Sequence, residues 1–412
     1  MVKSTKKSHK QTVLSLFTGA GGFDLGLEAA GFHHVLCVEN DIHARNTLLE
    51  NRPKWRLSEP GDIHQISTLE ILKQSGLQPR QLTLLAGGPP CQPFSKSGYW
   101  RNGDSLRLQD PRARTLEGYL KVAEATLPVT LVLENVKGLI YSKKNEGLEY
   151  FKNGLIRINR KYNTSYEPTI IDLNAADYGV PQIRERVFVI AHIDGQHLIT
   201  PPPTHDGKDG RPGPRSAWDA IGDLDGESFS SDLIPNSKWA KLLPSIPEGR
   251  NYLWHTPRNT QKGSEPLFGW RTRYWSFLLK LSKASPSWTI QADPGPATGP
   301  FHWRNRRLSI KELCRIQTFP DGFEIAGTYH CAHRQVGNAV PSAIGELIGL
   351  EIRRQFFNER VRRKLKLIPE QRDDCPQAER RGPVPKQYLA LRGNHHEHPG
   401  TGLGPAAKKR DS

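Results

Sequence analysis

The sequence predicts an α/β protein with a doubly wound, mostly parallel sheet and a smaller, irregular second domain. From Val13 to about Ala191, short apolar runs alternate with amphipathic segments, which is typical of strands that alternate with helices. The runs are VLSLF, VLCVE, LTLLAGG, LVLEN, TIIDL and VFVIA. At residue 200 the sequence changes to TPPPTHDGKDGRPGPRS, whose prolines and glycines indicate a boundary. A chain of 412 residues has room for two such domains.

The predicted first domain comprises residues 1–199 and is completed by residues 328–358, where GNAVPSAIGELIGLEIRRQFF has helical periodicity. Residues 200–327 are predicted to form the second domain with its hinge, and they include a further helical segment, RRLSIKELCRIQTF. Residues 359–412 are charged and rich in Pro and Gly, so they are predicted to be a disordered basic tail. Three histidines in this tail could bind a metal, but a solvated tail without a metal is the prediction; they are His395, His396 and His398.

The charge balance is strongly basic. There are 58 Lys and Arg residues against 42 Asp and Glu, which gives a formal net charge of +16. Charge alone leaves two interpretations open, a polyanionic partner such as nucleic acid or a surface that only aids solubility. The five cysteines lack the spacing of a disulfide framework or a zinc site, which favours a reducing cytosol. No segment approaches the ~20 apolar residues of a membrane span, so a soluble protein is expected.

A glycine loop follows the first predicted strand. Gly19, Gly21 and Gly22 precede a helix, and the second strand ends in Glu39, an arrangement typical of a nucleotide-binding βαβ unit with a carboxylate for ribose hydroxyls. Asp24 takes the place of the third glycine of the dinucleotide motif and would repel a pyrophosphate. An adenosine ligand without phosphate, such as S-adenosylmethionine, avoids that repulsion. A loop that serves only packing is the alternative.

Asp62 and Ile63 form a second candidate part of this site. Asp62 could bind the adenine amino group while Ile63 packs on the ring. Standing alone, Asp62 is better explained as a helix cap.

Cys91 lies in the loop PPCQPFS just beyond a predicted strand, where open α/β sheets bind their ligands. Prolines on both sides stiffen the loop, so a nucleophile held there loses little freedom on attack. The alternative for a lone cysteine is a buried small apolar side chain. Glu134 ends the strand LVLEN at the same edge of the predicted sheet. A thiolate and a carboxylic acid together suit attack on an electron-poor ring, although a strand-terminal Glu can also merely cap a helix.

Arg184 and Arg186 begin the strand after DYGVPQI and should lie on one face, because side chains two residues apart in a strand do so. Such a pair could hold Glu134, or a base oxygen and the phosphate beside it. A solvated charge pair is the alternative.

Six sequence blocks, taken in order, carry a family resemblance. They are FTGAGG, GGPPCQPFS, ENV, QIRERVFVI, RRLSIKELCRIQTFP and RQVGNAVP. With these blocks the sequence resembles the DNA cytosine-5 methyltransferases of prokaryotic restriction-modification systems, over about residues 13–200 and 288–350. The resemblance implies the S-adenosylmethionine-dependent methyltransferase fold, S-adenosyl-L-methionine as cofactor, and methyl transfer to carbon 5 of a cytosine in a short sequence of double-stranded DNA.

The resemblance also assigns residues. Cys91 is implied as the nucleophile and Glu134 as the acid, with Arg184 and Arg186 positioning the acid and the base. The implied cofactor contacts are Phe17, Gly19, Gly21, Gly22, Glu39, Asn40, Asp62, Ile63 and Asn338. The implied DNA contacts are Gln92, which enters the gap left by the extruded cytosine, together with Ser95 and the loop arginine Arg112. At Asn40 relatives often have an aromatic residue that stacks on adenine, and this chain departs from that pattern.

Cytosine chemistry determines the form of the substrate. A cytosine stacked in a duplex exposes neither face to a thiol, so the base must be turned out of the helix. The basic, aromatic stretch at residues 200–287 then suits a surface that grips DNA and recognises the target. The implied partners are double-stranded DNA and a cognate restriction endonuclease that acts separately, and the protein is expected to be a monomer. An RNA methyltransferase of the same fold and a catalytically inactive DNA-binding scaffold remain as alternatives, whereas an NAD-dependent dehydrogenase lacks a hydride-transfer partner.

Arg271 and Arg273, set among aromatic residues in GWRTRYW, are the predicted guanine contacts, with phosphate binding as the alternative. Arg271→Ala or Arg273→Ala should relax the methylated motif at one base pair, since a bidentate arginine discriminates by ~1 to 3 kcal/mol. Bisulfite sequencing of DNA from a host without other cytosine methylation measures the motif. If both variants methylate less while the motif is unchanged, the arginines hold the backbone only.

Overall fold

The computed structural model describes residues 11–90, 114–137, 146–257, 266–268 and 275–392. Within these residues six strands form one sheet. The strands are β1 (Thr12–Leu16), β2 (His33–Val38), β3 (Leu84–Gly87), β4 (Thr130–Asn135), β5 (Thr169–Asn174) and β6 (Glu185–His192). Their order is β2-β1-β3-β4-β6-β5, and β6 runs antiparallel to both of its neighbours, β4 and β5. The predicted mostly parallel α/β sheet is therefore confirmed.

Ten α-helices occur in the described residues. They are α1 (Gly22–Ala29), α2 (Ile42–Asn51), α3 (Thr68–Ser75), α4 (Arg114–Thr126), α5 (Glu146–Tyr162), α6 (Ala217–Ile221), α7 (Ile310–Ile316), α8 (Tyr329–Asn338), α9 (Ser342–Gln355) and α10 (Lys386–Leu389). The structure confirms two helices expected from periodicity, α7 and α9. It adds α8, which the sequence analysis did not predict. No helix among the described residues is long and apolar enough to cross a membrane.

The two faces of the sheet bury alternate strand residues. In β1, Leu14 and Leu16 join a core with α4 and α5, whereas Val13 joins the opposite core with α1 and α9. This alternation follows from the period of two in a strand, and it explains why the runs are apolar throughout, since both faces are covered.

Helices α1 and α9 cross closely on one face. A Cβ at Gly26 would lie 2.0 Å from the carbonyl oxygen of Ser342, and one at Gly345 would lie 2.3 Å from that of Phe23. Glycine is needed at both positions because the two backbones touch there. The crossing connects the return segment after residue 328 to the first helix.

Residues 200–257 and 275–327 contain short helices and turns rather than a strand-helix repeat, and the sequence predicted this irregular structure for residues 200–287. Their interior is an aromatic cluster, defined as the buried residues Leu242, Leu243, Ile246, Tyr252, Leu267, Leu278, Phe301 and Tyr388 with their partly buried neighbours such as Trp239. Tyr388 belongs to the predicted tail. A further core joins α6 and α7 to α1 and α2.

The predicted disordered tail is wrong for residues 359–392. Leu365 and Tyr388 are buried, and between them the backbone amides of Arg372 and Glu379 donate hydrogen bonds to Asp219 and Glu248. The composition misled the prediction because its many charges pair with charges on the protein surface. Residues 393–412, with the three histidines, lie outside the described residues.

Candidate active site

The carboxyl ends of four strands are level at one edge of the sheet. Leu16 pairs in register with Val38 on one side and Gly87 on the other, and Gly87 pairs with Leu133. The residue that follows each of these positions therefore emerges at the same edge. These four residues are Phe17, Glu39, Gly88 and Glu134, so the edge combines the predicted cofactor and catalytic positions.

The glycine loop turns sharply at this edge. Phe17 and Gly19 both have a φ of 57° and Gly21 has a φ of 82°, all in the left-handed region. A Cβ at Gly19 would meet no atom within 4 Å, so open space lies above the loop. Gly22 is packed instead, since its Cβ would lie 2.5 Å from the carbonyl oxygen of Val340. The loop thus presents backbone to an open space on one side and contacts the return segment on the other.

Glu39 is fixed by the loops around it. Its Oε2 accepts a hydrogen bond from the Gly19 amide at 2.6 Å, and its Oε1 accepts one from the Asp41 amide at 2.7 Å. Burial raises the pKa of this carboxyl group, and the two amide hydrogen bonds act against the rise. A carboxylate has about four lone-pair sites, more than these backbone amides use, so Glu39 could also accept a ribose hydroxyl.

Asp62 and Ile63 lie next to Glu39 because Gly61 touches its backbone. A Cβ at Gly61 would lie only 2.1 Å from the carbonyl oxygen of Glu39. The Asp62 carboxylate accepts a hydrogen bond from the His64 amide at 2.9 Å, so it caps a turn, which agrees with the interpretation of Asp62 as a cap. Ile63 packs against α4, where a Cβ at Gly118 would lie 2.8 Å from it. Capping uses one oxygen of Asp62 and leaves the other for a ligand.

Asn40 and Asn338 are both exposed beside this space. Arg334 of α8 forms an ion pair with Asp41 at 3.2 Å, which ties α8 to the loop after Glu39. Asn338 ends α8, and the segment after it packs on Gly22. Open space over a turned loop, two carboxylates and exposed amides fit a ligand with ribose hydroxyls and an adenine ring.

Asp24 has a different surrounding from the one expected. Its carboxylate is buried and contacts Nε2 of His34 at 3.0 Å, and the His34 ring stacks on Trp55 at 3.9 Å between centroids. The charge is therefore paired inside the protein rather than presented to a ligand, and it gives no ground for excluding a phosphate.

Glu134 and Arg186 form an ion pair at the catalytic edge. The Arg186 Nε lies 2.9 Å from Oε1 of Glu134, and the two side chains are only 15% and 13% exposed. Burial raises the pKa of the Glu134 carboxyl group, while the positive charges of Arg186 and Arg184 lower it. Because burial dominates, the carboxyl group holds its proton to a higher pH than a solvated glutamate does.

The loop that leads to Cys91 starts against this acid. A Cβ at Gly88 would lie 2.8 Å from Oε2 of Glu134, and the Asn135 amide donates a hydrogen bond to the Pro89 carbonyl at 3.4 Å. Glycine at position 88 therefore leaves the room that the Glu134 carboxylate occupies. The predicted nucleophile and the DNA contacts themselves lie outside the described residues; they are Cys91, Gln92, Ser95, Arg112, Arg271 and Arg273.

Arg184 differs from Arg186 in its hydrogen bonds, although its positive charge also lowers the pKa of Glu134. Its side chain is buried, and its guanidinium donates hydrogen bonds to the carbonyl oxygens of Gly337 at 2.7 Å and Ile290 at 3.1 Å. Arg184 lies just before β6 begins at Glu185, where the face alternation of a regular strand does not hold. It therefore joins the catalytic edge to the segment that carries Asn338.

Two buried glutamines complete this junction and were missed by the sequence analysis. The Gln182 amide donates a hydrogen bond to Oε1 of Gln317 at 2.9 Å, and Gln317 donates one to the carbonyl of Val336 at 2.7 Å. Both glutamines are fully buried. Their positions inside the blocks QIRER and RIQTF were visible, but a partner for an amide cannot be inferred from one sequence.

Comparison with known proteins gives a consistent result. A model of the family described as C-5 cytosine-specific DNA methylase matches residues 11–354. The protein named Type II methyltransferase M.SacI from Streptomyces achromogenes is 38% identical over 371 residues, which cover 83% of this chain and 92% of that protein. Type II methyltransferase M.Eco47II from Escherichia coli is 33% identical over 363 residues, covering 83% and 78% of the two chains.

Solved structures show the same fold. A candidate DNA modification methyltransferase encoded within an Escherichia coli prophage has a TM-score of 0.61 at 22% identity, over 84% of this chain and 99% of that one. A mutant of DNMT2 from Spodoptera frugiperda has a TM-score of 0.56 at 18% identity, over 83% and 99%.

The contact at Gly61 predicts a test of the cofactor site. Gly61→Ala should weaken S-adenosylmethionine binding by at least about tenfold, because the new methyl group must push Asp62 away from Glu39. Isothermal titration calorimetry measures the binding, and Gly213→Ala is the matched control, since a Cβ there meets nothing within 4 Å. Equal affinities for both variants would show that Glu39 and Asp62 do not act together on the ligand.

Proposed function

Since this chain belongs to the C-5 cytosine-specific DNA methylases and is a DNA cytosine methyltransferase, we propose that it methylates one cytosine within a short sequence of double-stranded DNA, with Cys91 as nucleophile and Glu134 as acid. The observation that carries the proposal is the buried pair of Glu134 and Arg186, which lies against the start of the loop that contains Cys91. A buried acid next to a nucleophile-bearing loop is what addition to a pyrimidine requires.

Glu134 supplies a proton where it is needed. When the Cys91 thiolate adds to carbon 6 of the extruded cytosine, an electron pair moves toward ring nitrogen 3, and Glu134 donates its proton there. Carbon 5 then becomes nucleophilic enough to take a methyl group. The methyl group leaves a sulfonium, which becomes a neutral thioether. A base then removes the proton on carbon 5, the thiolate leaves carbon 6, and nitrogen 3 returns its proton to Glu134, so the aromatic ring is restored. The raised pKa of Glu134 keeps part of the enzyme in the protonated form that this step uses.

S-adenosyl-L-methionine supplies the electrophilic methyl group when bound. The residues proposed to hold it surround the open space above the glycine loop: Glu39 toward the ribose, Asp62 and Ile63 toward the adenine, and Phe17, Asn40 and Asn338 along the rim. Because Gly19 lends no side chain to this space, the loop leaves room for the ligand.

Arg186 has a positioning function in this proposal. Its ion pair fixes the direction of the Glu134 carboxyl group, and its charge limits how far burial raises the pKa. Arg184 has an indirect positioning function. Its hydrogen bonds to the carbonyl oxygens of Gly337 and Ile290 hold the backbone before β6 in place.

The biological role follows from the relatives. Several are named Type II methyltransferases, and we extend to this chain the protection of host DNA against a separately acting restriction endonuclease. The net charge of +16 suits a protein that binds a polyanion, and extrusion of the base, which costs a few kcal/mol, requires such a grip.

The proposal is tested by trapping the nucleophile. A duplex with 5-fluorocytosine at the target should form an adduct that survives denaturation, because fluorine blocks the final proton loss. Cys91→Ala should form no adduct and no product, while its affinity for S-adenosylmethionine stays within a few fold. Peptide mapping identifies the modified residue. An adduct on the Cys91→Ala protein would assign the attack to another side chain.

The Glu134–Arg186 pair predicts a pH effect. Glu134 donates only when protonated, so the rate should fall as pH rises through its pKa. Arg186→Gln removes a charge that lowers this pKa, and the falling limb of the kcat profile should move to higher pH. Glu134→Gln should lose about 10² to 10⁴ in rate and lose this limb. Arg157→Gln, on an exposed position of α5, is the control; a limb that stays in place in Arg186→Gln would separate it from Glu134.

A further inference from the structure

Residues 359–392, here called the C-terminal strap, lie beyond the residues that match the family model. We infer that the strap braces the stretch at residues 200–287 against the catalytic core and thereby sets how that stretch meets DNA. The second half of this statement rests on the proposed function. Four sets of contacts carry the inference. In order along the strap they lie on α9, on α6, at Lys283 with Glu248, and in the aromatic cluster.

The strap begins on the catalytic core. Oε2 of Glu359 accepts a hydrogen bond from Nε of Arg353 at 2.8 Å. The buried carboxylate of Glu346, on α9, accepts the backbone amides of Lys366 and Leu367 at 2.9 and 3.1 Å. These bonds hold the start of the strap on the helix that crosses α1.

The middle of the strap is fixed to α6. Asp219 accepts the backbone amide of Arg372 at 2.7 Å, and Asp374 accepts the indole N–H of Trp218 at 3.0 Å. Helix α6 packs into the same core as α1 and α2. Helix α6 belongs to residues 200–287 by sequence, so this contact joins the strap to the part of that stretch that already packs on the catalytic core.

Beyond α6 the strap reaches the predicted recognition stretch through buried charges. Nζ of Lys283, which is 2% exposed, lies 2.7 Å from Glu248 and 3.1 Å from Glu379 of the strap. Glu248 also accepts the backbone amide of Glu379 at 2.8 Å. Lys280 is buried in the same region, and burial lowers its pKa to about 8. Loss of Glu379 would leave the two lysines with Glu248 as their carboxylate in this group.

The end of the strap enters the aromatic cluster. The backbone amide of Gly382 donates a hydrogen bond to the Pro244 carbonyl at 2.9 Å. The Tyr388 ring is buried, lies 5.8 Å from the Trp239 ring, and donates its hydroxyl to the Lys238 carbonyl at 2.7 Å. One of the eight buried side chains of this cluster therefore comes from the strap, so the cluster is incomplete without it.

These contacts imply a mechanical function because one continuous segment is anchored on both parts of the protein. Among the described residues this cluster has eight buried members, and small cores depend on additional stabilising contacts. The strap supplies such contacts with the carboxylate of Glu379, which is 45% exposed but pairs with the buried ammonium group of Lys283, and with the buried ring of Tyr388. A recognition stretch that is loosened should still allow methyl transfer once a base is in place, but it should bind target DNA less well.

The experiment uses the full-length protein with Glu379→Gln and Tyr388→Ala, against Glu370→Gln as the matched control on an exposed position of the strap. Hydrogen exchange measures protection of amides at residues 240–256, and steady-state kinetics measures KM for target DNA and kcat separately. Glu379→Gln and Tyr388→Ala should lose protection and raise KM for DNA roughly tenfold, equivalent to about 1.4 kcal/mol, with kcat and cofactor affinity within about twofold. Tyr388→Phe, which keeps the ring, should restore most of the loss.

The outcomes separate the brace from the proposed function. A wild-type protein that does not methylate DNA refutes the proposed function, whereas hydrogen exchange still tests the brace. If Tyr388→Ala does not fold, Glu379→Gln carries the test. Unchanged protection in Glu379→Gln overturns the inference. The inference is also overturned if amide protection is lost while KM for DNA is unchanged and the enzyme still discriminates equally between target and single-mismatch sites.

Discussion

The active-site arrangement depends on the parallel register of β1, β2, β3 and β4. Residues that are far apart in the chain emerge at one edge because Leu16, Val38, Gly87 and Leu133 are level across the sheet. A slip of one residue in any strand would turn its side chains to the opposite face. The register is held by two apolar cores, one on each face, so burial of Leu14 and Val13 on opposite sides ultimately determines where Glu39 and Glu134 are placed.

Burial is also what makes the charges at this edge chemically useful. The Glu134 carboxylate, removed from water, would be costly without a partner, and breaking such a pair costs about 3–5 kcal/mol. Arg186 offsets that cost, and the pKa of Glu134 nevertheless stays raised. The same ion pair therefore stabilises the folded protein and limits the pKa of the acid. Glu39 is treated differently: backbone amides, not an arginine, compensate its burial, which leaves it able to accept further hydrogen bonds.

Much of this could be predicted from the sequence because it depends on local pattern. Apolar runs located the strands, and the residues just beyond them, Glu39 and Glu134, were found where parallel strands must end. The different surroundings of Arg184 and Asp24 could not be predicted, since both depend on partners such as Gly337 and His34 that only the folded chain brings near. Composition was misleading for residues 359–392, where charge indicated disorder. A charged segment stays disordered when its polar groups are bound only by water. In residues 359–392 these groups instead contact Lys283, Asp219 and Arg353.

The sheet-based catalytic part and the aromatic cluster are therefore stabilised by different contacts. They should differ in how many sequence changes they tolerate. The catalytic part rests on a sheet whose register couples distant residues, so most changes within it move the site. The aromatic cluster rests on rings such as Trp239 and Tyr388 and on one buried charge group, which are contacts among a few side chains. Loops around such a cluster can vary without disturbing the sheet, provided that the cluster stays oriented. The strap keeps the cluster oriented without contacting the edge of the sheet where Glu39 and Glu134 lie. Its contacts on α9 and α6 are with helices that pack behind the glycine loop.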